Sequence, residues 1–405
     1  MKKRQAALIF IFVTVLIDIL GVGLIIPILP RLFEEIAGLD PSESAFIGGA
    51  LIATYGVMQF FFAPVLGGLS DKYGRRPLLL LALFGLGVDY LIIVFAPSLE
   101  WFFVARAFAG ICGSSVTVAN AYIADISSPE NKAKNFGMIG AAFGLGFIVG
   151  PVIGGFLGEI GVRIPFMIAA SLAFLNVIYG YFVIPESLSK ENRRDFSWKR
   201  ANPLGTFQQI LSYKAILGLL VSIFFLYVAA NATHTNWSYF TSEKFGWSPK
   251  DIGISLGFVG IMVAIVQGGL VGPIVKKIGD VKAVYVGFAF NAFGLLTIGL
   301  VPEGWMVYLI IVPYAMGGIA GPSLQSIMTS NVPKNAQGEL QGGIASVMTI
   351  TSVIGPLLMT GTFRYFTDPA NQIYFPAAPF MVGTALALLS IAIARPSLAR
   401  LDNVN

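Results

Sequence analysis

Apolar residues in this chain come in long unbroken runs separated by short charged or Pro/Gly-rich punctuation, not in the period-two alternation of strands. About 20 consecutive apolar residues in a helix cross a hydrocarbon core about 30 Å thick. Twelve runs are long enough, near 6–30, 44–67, 78–96, 101–124, 136–160, 164–184, 215–237, 252–275, 283–301, 305–329, 340–362 and 376–394. A membrane barrel would instead alternate over segments of about 10 residues, and these runs do not. The predicted fold is therefore an all-α membrane protein of twelve transmembrane helices. The first run follows Lys2, Lys3 and Arg4, like a signal peptide, but it is long, contains Asp18 and precedes eleven more runs, so it is read as the first span.

Composition agrees with this pattern. Of 405 residues, 56% are hydrophobic and 12% charged, against about 25% charged in a soluble domain. One cysteine and one histidine exclude a disulfide framework and a His-rich metal site. No cofactor is expected. The net charge of +5 would suggest nucleic acid on a compact soluble domain, but here the charges flank the apolar runs.

Short loops rich in Lys and Arg stay in the cytoplasm. With the amino terminus inside, 20 of the 26 basic residues fall in inner segments, five (Arg31, Arg163, Lys244, Lys250, Arg364) fall in outer loops, and Arg106 lies within a span. Both termini are thus expected to be cytoplasmic.

The longest polar stretch, PESLSKENRRDFSWKRANPLG at 185–205, lies midway along the chain. It suggests an amino-terminal six-helix bundle (1–184), a cytoplasmic linker (185–214) and a carboxy-terminal six-helix bundle (215–405). The halves repeat: Gly150-Pro151 recurs as Gly355-Pro356, Gly137 as Gly342 and Gly74 as Gly279, each 205 residues on. Parallel six-helix repeats imply a transporter with its substrate site near the bilayer midplane and rocking as the transport motion.

The segment GGLSDKYGRRP (67–77), between the second and third runs, resembles the signature loop of the major facilitator superfamily. RAFAGICG (106–113) agrees with it, and GAAFGLGFIVGPVIGG (140–155) resembles the antiporter signature of proton-coupled exporters. With DILGVGLIIPILP (18–30) and VDYLIIVF (88–95), these segments resemble the tetracycline-exporter branch of twelve-span drug/proton antiporters. The resemblance implies a bacterial cytoplasmic (inner) membrane protein acting as a monomer. Exporters of that branch carry a carboxylate in the ninth span and often a histidine in the eighth; Asn291 and Val263 stand in the matching stretches here. Weak tetracycline export, and better export of lipophilic cationic or neutral compounds, is the expectation.

Of 47 Lys, Arg, Asp and Glu residues, only Asp18, Asp89 and Arg106 fall clearly inside spans. Burying an ionisable group there costs at least about 2.5–3.5 kcal/mol, so each needs a partner or a wet cavity. Arg106 can pair with either carboxylate, and the resemblance favours Asp18. Movement of a carboxylate relative to an arginine changes its proton affinity, which is the physics of a proton-coupled switch. The plainer reading is a static polar anchor.

By resemblance, Asp71, Arg75 and Asp125 form a charged gate cluster. Gly140, Gly144, Gly146, Gly150, Gly154 and Gly155, with Pro151, are expected to pack the fifth span tightly and bend it, with ordinary packing as the plainer reading. Gln59, Asn120, Asn231, Asn291 and Gln325 are uncharged mid-span polar groups that could line a cavity or simply bridge helices. His234, the single histidine, could take a proton, but its place near the outer interface favours a solvated or hydrogen-bonded residue.

Glycine-rich strings such as GLGFIVG sit within an apolar run, not after a strand, and no GxxxxGK[ST] loop is present. No enzyme activity is expected. The function expected is proton-coupled export of a small apolar or amphipathic compound by alternating access, with that compound, protons and the bilayer as partners and no nucleic acid. A proton-coupled metabolite importer shares the fold, and a membrane scaffold or receptor would have no use for Asp18, Asp89 and the gate cluster together.

Overall fold

The structure, a computed structural model, describes residues 2–113, 115–198, 214–332 and 337–402. Much of the proposed linker, with Lys199 and Arg200, and also Lys334, lies outside the described residues. Among those described, no strand occurs and twelve helices are long and apolar enough to cross a membrane. They are Ala7–Ala37, Pro41–Tyr73, Arg75–Phe95, Leu99–Ile126, Lys134–Ile160, Ile164–Val183, Ile216–His234, Pro249–Ile278, Asp280–Leu300, Gly304–Ser330, Leu340–Thr367 and Ala378–Arg400. The protein is an integral membrane protein, and each apolar run of the sequence has its helix.

Several helices outrun the apolar stretches because interfacial turns tolerate charge while the backbone keeps its hydrogen bonds. The second span starts three residues before its apolar run. Pro41 occupies the first helical position, where no amide partner is needed, and the Asp40 Oδ1 accepts the Ser42 hydroxyl at 2.7 Å and the Glu43 amide at 2.9 Å. The eighth span starts the same way at Pro249, with Ser248 and Asp251 exchanging hydrogen bonds ahead of it.

The repeat is written into the backbone. The only positive-φ residues among those described are four glycines, which fall into two pairs. Gly38 (φ 63°) and Gly246 (φ 65°) end the nine-residue helices Leu29–Ala37 and Trp237–Phe245, while Gly74 (φ 109°) and Gly279 (φ 80°) make the turns after the second and eighth spans. Glycine is needed at such turns because a Cβ would clash with its own backbone. Polar bridges recur too: Asn176 donates to Thr14 at 2.9 Å between the sixth and first spans, and Ser222 and Ser390 join at 2.8 Å between the seventh and twelfth. The fourth span leaves α-geometry at Gly113, and the tenth tightens into a 3-10 turn at Gly317–Ile319.

The chain forms two compact units. Unit 1 comprises 1–38, 54–203 and 248–257; unit 2 comprises 39–53, 204–247 and 258–405. The core of unit 1 packs Phe10, Ile11 and Val15 of the first span against Leu79, Leu83 and Tyr122. That of unit 2 gathers Leu219, Phe288, Leu324, Leu340 and Leu398.

Candidate functional site

Asp18 is 6% exposed on the first span. Its Oδ2 accepts a 2.5 Å hydrogen bond from the Ser115 hydroxyl, while its Oδ1 is buried without a partner. Ser115 lies on the second half of the fourth span, past Gly113, so the carboxylate faces that half of the span. Among the described residues Asp18 makes no ion pair.

Asp89, fully buried on the third span, is bonded and ion-paired to Arg106 of the fourth. The resemblance favoured Arg106 with Asp18; the structure joins it to Asp89. The reason is register. Spans three and four run antiparallel, with a methyl group added at Gly85 meeting the Cys112 side chain at 2.5 Å, and the same register brings positions 89 and 106 together one turn away. Asp18 is left to the fourth span's second half.

Gln59, a cavity candidate from the sequence, donates to the Gly113 carbonyl at 2.7 Å and to the Tyr55 hydroxyl at 3.0 Å. Its amide is therefore engaged at the break in the fourth span. Tyr90, beside Asp89, presses its hydroxyl against Gly21, three residues past Asp18. Sequence reasoning missed Ser115, Tyr55 and Tyr90. A Ser-Ser pair after glycine, inside an apolar run, was the available signal for the first.

The structure brings Asp71, Arg75 and Asp125 together. Arg75 Nη1 lies 2.5 Å from Asp71 and its Nε 3.2 Å from Asp125, and Nη1 also donates to the Ser70 hydroxyl at 2.6 Å. Glu186, which the sequence left unremarked in PESL, completes the cluster: it accepts the Arg75 and Arg76 amides at 2.8 and 3.2 Å, satisfying the free N–H groups that open the third span. Ser187 donates to Asp125 at 3.0 Å, and the Arg194 amide donates to the Asp71 carbonyl at 3.1 Å.

On the fifth span the glycines divide. Gly146, Gly150 and Gly154 form a stripe against Ile19, Leu20, Gly23 and Leu24 of the first span, where an added methyl group would overlap backbone or side chain. Gly155 meets Pro249 and Gly253 in the same way, with Pro151 contacting Gly23 and Gly253. Gly140 and Gly144 do not share this role, because nothing lies within 4 Å of the space a methyl group would take. The helix runs unbroken through Pro151 from Pro129 to Ile160.

In unit 2, Asn231 donates to the Tyr227 carbonyl at 2.8 Å and packs on Gly355. Asn291 lies against Gly317, its side-chain oxygen buried and unpartnered. Gln325 is half-buried, as is Asn120 in unit 1, and His234 is exposed. The eighth span leaves α-geometry for a π-turn at Val266–Leu270, which carries an exposed glutamine, Gln267. Besides Ser255, it is the only polar side chain within 252–275, a signal that went unused. Among the described residues no group of three or more His, Cys, Asp or Glu is placed to hold a metal ion.

Twelve spanning helices in a two-fold repeat, with buried acidic and basic groups inside the spans, define a secondary transporter. The pattern of the Major Facilitator Superfamily matches residues 11–356, and the chain belongs to that family. It is 38% identical over 389 residues to the tetracycline resistance protein, class C, of Escherichia coli, covering 96% of each chain. To the class B tetracycline resistance protein of the same organism it is 37% identical over 358 residues, covering 87% of each. Among solved structures, the human organic anion transporter MFSD10 (TETRAN) shares the fold with a TM-score of 0.71 and 23% identity, covering 96% of this chain and 99% of that one. The superfamily and its tetracycline-exporter branch, expected from the motifs, are thus met by the relatives.

Proposed function

We propose that this protein exports small amphipathic molecules in exchange for protons by alternating access, in a bacterial inner membrane with both termini cytoplasmic. The observation that carries this reading is Asp18: a buried carboxylate with a single hydroxyl partner and an unpartnered Oδ1, next to an Asp89–Arg106 pair that already balances its own charge. An unbalanced charge in a membrane interior is costly, and a proton is the partner that removes it. Binding and release of that proton at Asp18, coupled to substrate exchange, is the mechanism. Asp71, Arg75 and Asp125 act as a gate on the side where basic residues concentrate. The two repeats, 1–184 and 215–405, are the moving bodies, and one chain holds both, so the working unit is a monomer.

The relatives' names make tetracycline the first compound to assay. Asn291 and Val263 remove the second-half charges of that branch, so tetracycline is expected to move poorly beside neutral and lipophilic compounds. Asp18→Asn keeps the side chain's shape without an exchangeable proton. In proteoliposomes with an imposed pH gradient, the variant is expected to insert and bind probe like the wild type and to lose gradient-driven export. Undiminished export would remove Asp18 from the mechanism.

A further inference from the structure

We propose that Gln267 and Asn291 form a subsite on unit 2 for an uncharged hydrogen-bonding group of the transported molecule, such as an amide or hydroxyl on an apolar body. The inference rests on the export reading above and specifies its substrate chemistry.

Two departures from helix geometry meet here: the π-turn at Val266–Leu270 in the eighth span and the 3-10 turn at Gly317–Ile319 in the tenth. A π-turn gives up regular hydrogen bonding to re-aim a side chain, and such turns are frequent at functional sites. The side chain re-aimed is Gln267, which is exposed and makes no hydrogen bond among the described residues. The Asn291 side-chain oxygen is buried, also without a partner. Both lie against the same glycine pair: a methyl group added at Gly317 would sit 3.1 Å from Asn291 Cβ, and one at Gly318 would sit 3.6 Å from Gln267 Nε2.

The repeat supplies an internal control. Gln59 lies 18 residues after Pro41, as Gln267 does after Pro249, and Gly113 stands 205 residues before Gly318. In unit 1 that glutamine is engaged by the Gly113 carbonyl and the Tyr55 hydroxyl. Counted from the same opening prolines, Pro41 and Pro249, the position matching Tyr55 is Val263, which has no hydroxyl to offer. Losing that partner frees a carboxamide that unit 1 keeps occupied.

Space and lining fit a ligand. Nothing lies within 4 Å of the positions a methyl group would take at Gly268, Gly269 and Gly321. Met262, Val263 and Met316 pack on the neighbouring cluster of Val266, Ala315 and Ile319, giving an apolar wall. Two carboxamides offer donors and acceptors but no charge, so they complement a neutral polar group and leave a cation uncompensated.

The test is equilibrium binding to the purified full-length protein of two probes: chloramphenicol, an uncharged amide with two hydroxyls, and tetraphenylphosphonium, a cation without donors. Gln267→Leu and Asn291→Leu are each expected to weaken chloramphenicol about tenfold, the scale of one lost hydrogen bond, and to leave tetraphenylphosphonium within about twofold. The near-isosteric Asn291→Asp guards against misfolding and should weaken chloramphenicol while tightening the cation. A wild type that does not bind chloramphenicol, leucine variants that bind it unchanged, or equal losses for both probes would each overturn the subsite. Absence of gradient-driven transport of either probe by wild type would instead count against the export reading, with the binding result standing by itself.

Discussion

At the mouth of the second span, Asp40 shows how a single side chain fixes a helix end. Burial pushes its carboxyl up, but hydrogen bonds from Ser42 and from the Glu43 and Ser42 amides, together with the charge of Arg364, outweigh that and hold its pKa below the ordinary 3.8. A folded-state pKa below the unfolded one means the stabilisation is whole above the ordinary value and is lost as pH falls through the folded value. Asp40→Ala is therefore expected to lower the thermal midpoint of the purified protein at pH 7 by the equivalent of about 0.5–1 kcal/mol, at the low end of capping energies because the residue is exposed. The gap between variant and wild type should close as pH falls below about 4. Equal midpoints at pH 7 would show that the cap contributes nothing. Residue-level pairings of this local kind are readable from sequence, since Asp-Pro-Ser-Glu is a helix-start signal. Asp89–Arg106 is not: it depends on the antiparallel register of two helices, which hydropathy leaves free, and both carboxylates lay at plausible depths.

Helices themselves were legible because the membrane demands about 20 apolar residues at a time, a signal stronger than any local propensity. Their interruptions were not, since the break at Gly113 and the π-turn around Gln267 change backbone geometry without changing mean hydropathy. The fifth span sits between these cases. Its glycine spacing of four announced a packing stripe, but which glycines belong to it depends on where the first span crosses. Gly154→Ala places a methyl group on the Leu24 backbone, which cannot move aside, whereas Gly140→Ala meets open space. Overpacking of this kind costs about 1–3 kcal/mol, while alanine in a helix gains about 0.5–1 kcal/mol over glycine. Thermal unfolding should therefore separate the two variants, Gly154→Ala down and Gly140→Ala unchanged or up. A loss of equal size in both would mean that the stripe against the first span is not what the glycines serve.

On the scale of the whole transporter, the gate role proposed for Asp71, Arg75 and Asp125 predicts how conformations are populated. Arg75 is its centre: its side chain holds Asp71, Asp125 and Ser70, and its amide is held by Glu186. Asp71 is 42% exposed while Arg75 is 12% exposed, so the Asp71 pair is screened by solvent and worth about 0.2–1 kcal/mol. Asp71→Asn should then shift a two-state equilibrium towards the inward-facing state by no more than about fivefold. Arg75→Gln releases the side-chain bonds together and should shift it further in the same direction. A reporter cysteine replacing Ser330, exposed at the end of the tenth span, in a background with Cys112→Ala, reads the population as its labelling rate. Faster labelling in the order wild type, Asp71→Asn, Arg75→Gln, with ligand binding retained, is the outcome a gate requires. Unchanged labelling together with lost binding would move the cluster from gating to the substrate site, and equal effects of the two variants would show that Asp71, despite its exposure, carries the whole contact.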